Sequence, residues 1–219
     1  METWQGSHLF LDLVTYAVLG LVGLRLASVA TRAVRPPLRG QVVELWRGIR
    51  PRHLLPVPLV LTAVVATAVL LLAVPGLDVG WWSAIGGYGN PVTGGTERTA
   101  GTPLEILVPL LFAALLIPGL PLFAAGEEQA FRLGAEGWSN ARRAWRGVAF
   151  GAVHAVIGIP IGVALALSVG GWWFTVVYLW GFRRGGRARA LRESTLAHLA
   201  YNACILVLLV VSLALLPLT

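Results

Sequence analysis

The chain has 219 residues, of which 57% are hydrophobic and only 12% charged, about half the charged share of a typical soluble domain. Its net charge of +7 rests on arginine alone, in short segments between long apolar runs, whereas a nucleic-acid-binding surface would gather those charges on one soluble face. Nucleic acid is therefore excluded as a partner, and the single cysteine, Cys204, excludes an intrachain disulfide and a multi-cysteine zinc site.

The first apolar run, residues 9–30, reads as an uncleaved span, because Glu2 stands where a secretory signal would carry positive charge. Asp12 and Arg25 lie near its two ends, where they can snorkel. Arg32, Arg35, Arg39, Arg47, Arg50 and Arg52 follow against one acid, Glu44, which marks a cytoplasmic segment. Pro36-Pro37 and Gly40 break the helix there. Residues 42–50 read as a short surface helix with Trp46 in the headgroups, and His53 as a solvated loop residue. Residues 54–74 make a second span, leading to a Gly- and Thr-rich outer loop, 78–103, with Trp81-Trp82 as an interfacial anchor.

The third span opens at Thr102-Pro103-Leu104-Glu105, an N-cap followed by proline in the first turn and then an acid. Pro118 and Pro121 should kink it, and irregular backbone at this depth implies a protein-lined surrounding or a cavity. Arg142, Arg143 and Arg146 mark the inside again. Residues 147–181 lie between that group and Arg183, Arg184, Arg187, Arg189 and Arg192, so they must cross twice as a tight helical hairpin. Gly170-Gly171 reads as its turn, Trp172-Trp173 as a second outer anchor, and Pro160 as a bend in the first arm. Residues 194–216 form the last span. The expected fold is all-α, a polytopic transmembrane bundle of about six spans with both termini outside. Residues 1–100 supply an N-terminal pair of spans with its basic cytoplasmic loop.

The chemistry concentrates at residues 126–132, where two carboxylates and a guanidinium end the third span. Ionised groups in a bilayer cost about 2.5–3.5 kcal/mol each at its centre and normally face a protein interior or a wet cavity. Glu128 and Arg132 are four apart, acid first, and so can pair on one face. Glu127 lies on another face as the free carboxylate, a position that suits a general base. A plain interfacial clasp that ends the helix would carry the same residues.

Two further pairs share helix faces, Phe150 with His154 and His198 with Asn202. Helix rise puts Glu127 about 35 Å along the third span, His154 about 10 Å into the fourth and His198 about 6 Å into the sixth. Three helices should therefore bring Glu127, Glu128, His154, His198 and Asn202 to one level near the cytoplasmic face. Glu127 with His154 can activate a water, and His198 with Asn202 can donate to a developing oxyanion. Two His and a Glu (Glu127, His154, His198) are also a catalytic zinc set, but no His-Glu-x-x-His helix is present, so the metal question stays open at this point.

Glu127-Glu128-x-x-x-Arg132, Phe150-x-x-x-His154 and His198-x-x-x-Asn202 resemble the three ordered motifs of the CPBP family, which contains the type II CAAX prenyl endopeptidases and the Abi proteins linked to bacteriocin immunity. The resemblance covers roughly residues 104–216 and makes 101–219 a CPBP-like catalytic core. It implies an intramembrane endopeptidase acting on a peptide or membrane-protein substrate, which is lipidated in the prenyl endopeptidases. By motif, Glu127 and His154 would activate the water, His198 and Asn202 would hold the oxyanion, and Glu128, Arg132 and Phe150 would support the site. Members are often called metalloproteases, which makes Zn2+ the implied metal, though a metal-free glutamate mechanism is also argued. Here Leu133 precedes Gly134, where members often have Gly directly after the motif arginine.

The all-arginine, Ala/Leu/Val/Gly-rich composition points to a GC-rich bacterium, and hence to a multi-pass protein of its cytoplasmic membrane with the lipid bilayer as partner. Two readings compete with the protease. One is a non-enzymatic immunity or scaffolding protein of the same fold. The other is a small transporter whose carboxylates carry protons.

Overall fold

The computed structural model describes residues 2–84, 90 and 100–215, and every regular element among them is helical. In chain order these are α1 (Glu2–Val34), α2 (Leu38–Gly48), α3 (Pro51–Leu54), α4 (Val57–Leu72), α5 (Trp81–Ala84), α6 (Leu104–Arg132), α7 (Asn140–Val153), α8 (Ile161–Ala166) and α9 (Ser168–Leu215). Short 3-10 turns, Ala135–Gly137 and His154–Ile157, follow α6 and α7. Most of the expected outer loop, residues 85–89 and 91–99, lies outside the described residues. So do residue 216 and the side chains of Glu2 and Asp12.

Among the described residues, four segments are long and apolar enough to cross a membrane: Tyr16–Val34, Pro51–Leu72, Leu104–Gly137 and Ile161–Ser212. Their outer faces expose Leu59, Val69, Leu111, Val176 and Val207, a surface suited to hydrocarbon rather than water. Six spans were expected. The last segment contains a break, with Gly185 extended at φ −179° and Gly186 at φ +70°, a left-handed conformation that favours glycine. The break divides α9 into a first arm, 168–184, and a second arm, 187–215, which turn back on each other where Gly181 meets Ala190. With 14 residues, α7 is about 21 Å long, short of a 30 Å core without the 3-10 turn that continues it.

The hairpin reverses elsewhere than the glycine pair suggested. Gly170 and Gly171 lie inside α9, and the reversal runs through residues 154–167. A Cβ on Gly171 would stand 2.9 Å from the Phe150 ring and 3.0 Å from the Gly147 carbonyl. The glycine is therefore there for close helix contact rather than for a turn. Trp172 and Trp173 do not anchor the reversal end either. Trp172 packs over Gly147 and donates from Nε1 to the Ala144 carbonyl at 3.0 Å, and Trp173 lines a cavity beside Arg52.

α6 is one continuous helix with Pro109, Pro118 and Pro121 inside it and Gly119 packed tightly on Val29 of α1, and two other local expectations change. Neighbouring helices can compensate the bonds that proline removes. Trp46 packs with Leu45 against the α6–α9 core rather than standing free on the surface. His53 is buried, not solvated: its Nδ1 accepts the Arg50 N–H at 3.0 Å and its Nε2 lies 3.0 Å from Glu193 Oε2.

Candidate functional site

The centre is an ion pair that α6 builds from its own last turns. The Glu128 side chain is 0% exposed and that of Arg132 1%; Arg132 Nη1 donates to Glu128 Oε1 at 3.0 Å. Burying two charges is favourable only when their remaining bonding capacity is met. Arg132 Nη2 donates to the Gly171 carbonyl at 3.2 Å, and the guanidinium lies 4.1 Å from the Phe150 ring centroid and 5.4 Å from that of Phe174. The aromatic faces offer the cation a partner that needs no second anion.

The second arm of α9 brings His198 to this pair. Its Nδ1 is 2.9 Å from Glu128 Oε1, and since a carboxylate only accepts, Nδ1 carries the proton and donates it. The ring stacks on Phe174 at 4.4 Å and 20° and meets the Phe150 ring edgewise at 5.4 Å. Clamped in this way, a neutral imidazole presents its Nε2 lone pair on the opposite side. That atom is 3.7 Å from Glu127 Oε2, which has no hydrogen-bond partner of its own. The separation is too long for a direct hydrogen bond and short enough for one water or hydroxyl to bridge. The Glu127 side chain is 32% exposed where that of His198 is 2% exposed, but Glu127 Oε2, the atom that faces His198, is buried.

His154 caps α7 one turn beyond Phe150. Its Nδ1 lies 2.8 Å from the Phe150 carbonyl, which again fixes the proton on Nδ1 and leaves Nε2 as an acceptor. The Phe150 ring contacts the His154 ring at 5.0 Å, so one phenyl group touches both imidazoles. Asn202 follows His198 by one turn on the same arm, half-buried, and takes no part in the hydrogen bonds of the cluster. The structure thus brings Glu127, Glu128, Arg132, His198 and Phe150 into direct contact. His154 joins through Phe150, and Asn202 stands beside the group.

No family model matches the chain, and no curated protein or solved structure matches it significantly.

In donor chemistry the residues suit a zinc ion. Both imidazoles spend Nδ1–H on an oxygen acceptor, the second-sphere pattern that orients Nε2 toward a metal, and Glu127 Oε2 is unpartnered. In position, among the described residues no three His, Cys, Asp or Glu side chains form a metal-ligand group.

Several contributors were missed in the sequence. Phe174, which stacks on His198, lies in an aromatic run that reads as an anchor. The spacing Gly147-x-x-x-Gly151 was the available signal: a Cβ on Gly151 would meet the Ala164 carbonyl and Ser168 Oγ at 2.5 Å. That pair draws α7 onto the first arm of α9 and sets Phe150 against Arg132. The buried pair of His53 and Glu193, clasped from outside by Arg52, was also unforeseen, because Glu193 is a lone acid among arginines.

Proposed function

We propose that the chain is an intramembrane endopeptidase of CPBP type, a multi-pass protein of the bacterial cytoplasmic membrane with its site near the cytoplasmic side. Six crossings follow if the two arms of α9 count separately and α7 with its 3-10 turn makes the short one. The observation that carries the reading is the juxtaposition of Glu127 Oε2 and His198 Nε2 at 3.7 Å, with His198 locked by a fully buried Glu128–Arg132 pair from another helix. A polar assembly of this kind is costly inside a membrane, and such groups mark functional sites there.

In the reaction, a water between Glu127 Oε2 and His198 Nε2 donates a hydrogen bond to each. Glu127 takes one proton as the water oxygen bonds to the scissile carbonyl carbon, and the carbonyl π pair becomes an oxyanion. The tetrahedral centre then collapses, the C–N bond breaks, and the proton on Glu127 passes to the leaving nitrogen. His198, with its Nε2 facing Glu127, belongs to the water in this scheme, so the Asn202 amide is the oxyanion donor and His154 a supporting acceptor. Glu128 and Arg132 hold the imidazole tautomer. Were zinc bound, Glu127, His154 and His198 would hold it, and it would supply carbonyl polarisation and a more acidic water.

The test compares host membrane proteomes carrying the wild-type chain, Glu127→Gln and Asn202→Ala. An uncleaved client that accumulates with Glu127→Gln, and to a smaller degree with Asn202→Ala, is the expected result. A cleavage pattern and host phenotype unchanged by Glu127→Gln sink the hydrolase and leave the scaffold reading. Proton-coupled flux in proteoliposomes that depends on Glu127, without cleavage, would establish the transporter instead.

A further inference from the structure

A cavity of about 210 Å³ lies between the two arms of α9 and α3, on a neighbouring face of the second arm from His198. Trp173, Val176, Val177 and Trp180 line it, spaced at i, i+3, i+4 and i+7 as one apolar stripe of the first arm. The stripe is roughly 10 Å long by helix rise. Ala197 forms the opposite wall, where a larger side chain would fill the space. Val176 is 56% exposed and Trp180 39%, so the cavity opens on the outer surface of the bundle.

Its polar end is a built one. Glu193 and His53 are buried in the wall and satisfy each other. Arg52 closes a two-point fork on Glu193, Nε to Oε2 at 3.3 Å and Nη2 to Oε1 at 2.9 Å. The fork neutralises the carboxylate but leaves Arg52 half exposed. A second guanidinium, that of Arg184, lies 3.5 Å from the centroid of the Trp180 ring, one of the cavity's lining groups. An apolar slot on the outer surface of the bundle is therefore lined by one half-exposed guanidinium, that of Arg52, and has a second, that of Arg184, stacked on its Trp180 wall.

We infer that this slot holds one acyl chain of an anionic phospholipid, whose phosphate rests on Arg52 and Arg184. The chain matches the Trp and Val stripe, the phosphate matches the exposed guanidinium edges, and a bilayer supplies molecules that carry both. The inference requires the chain to lie in a membrane and does not depend on the hydrolase.

The full chain in detergent is titrated with phosphatidylglycerol, with phosphatidylcholine of the same acyl chains, and with glycerol phosphate, and is read by native mass spectrometry and by thermal midpoint. Phosphatidylglycerol should stay bound and raise the midpoint. Phosphatidylcholine should bind more weakly, and glycerol phosphate should do neither. Val176→Trp fills the slot from an exposed position and should abolish retention with unchanged circular dichroism. Arg184→Gln should cut the preference for phosphatidylglycerol over phosphatidylcholine roughly fivefold, what one arginine contributes at an anionic surface. Equal retention of the two lipids, retention that survives Val176→Trp, or stabilisation by glycerol phosphate alone each overturns the assignment.

Discussion

Replacing Arg132 with methionine tests the buried centre most directly. The change keeps length and apolar contact with Phe150 and Phe174 but removes the charge that faces Glu128. The Gly171 carbonyl loses little, because it also accepts Thr175 Oγ1 at 2.9 Å. What remains is a carboxylate with 0% exposure whose remaining hydrogen-bond donor at Oε1 is His198 Nδ1. Breaking one side of a buried pair costs about 3–5 kcal/mol, a large part of a typical folding stability of roughly 5–15 kcal/mol. Adding Glu128→Gln removes the orphaned charge while its amide oxygen can still accept from His198. The double variant should therefore recover to within about 1–2 kcal/mol of the wild type, a strongly non-additive pair. Equilibrium unfolding in mixed micelles, followed by tryptophan fluorescence, measures all three free energies. A loss under about 1 kcal/mol for Arg132→Met, or a double variant as unstable as the sum of the singles, would refute the reasoning.

Glu127→Gln should leave unfolding within about 0.5 kcal/mol of the wild type, since the side chain is partly exposed and holds no direct partner; a loss of several kcal/mol would make it a structural residue. Gly151→Ala should cost about 1–3 kcal/mol, because its Cβ meets backbone at 2.5 Å. Gly20→Ala, with nothing within 4 Å, should be neutral or stabilising by up to about 1 kcal/mol, and both are read by the same unfolding assay. In a Cys204→Ala background, cysteines at positions 142 and 187 should react with an impermeant reagent from one side of the membrane, and those at 78 and 156 from the other. Labelling of all four from one side would refute the crossing pattern.

The helical character and the long apolar segments were legible in the residues, and so was the Glu128–Arg132 pair. Each depends on neighbours within four positions, and the period of the helix alone decides them. The meeting of Glu127 with His198 could be approached only by counting levels, because helix rise gives depth but not the direction a side chain takes. The glycine pair Gly170-Gly171 shows where such reading stops: the same two residues serve a turn or a close helix contact, and only the position of Phe150 opposite them decides which. His53 and Glu193 are 140 positions apart, so their contact depends on how α3 packs against α9. Sequence by itself determined that the chain is helical, which runs are apolar and which charges must be sheltered. Tertiary structure decided which groups shelter them, because burial and hydrogen-bond partnership are set by chains that meet across the bundle rather than along it.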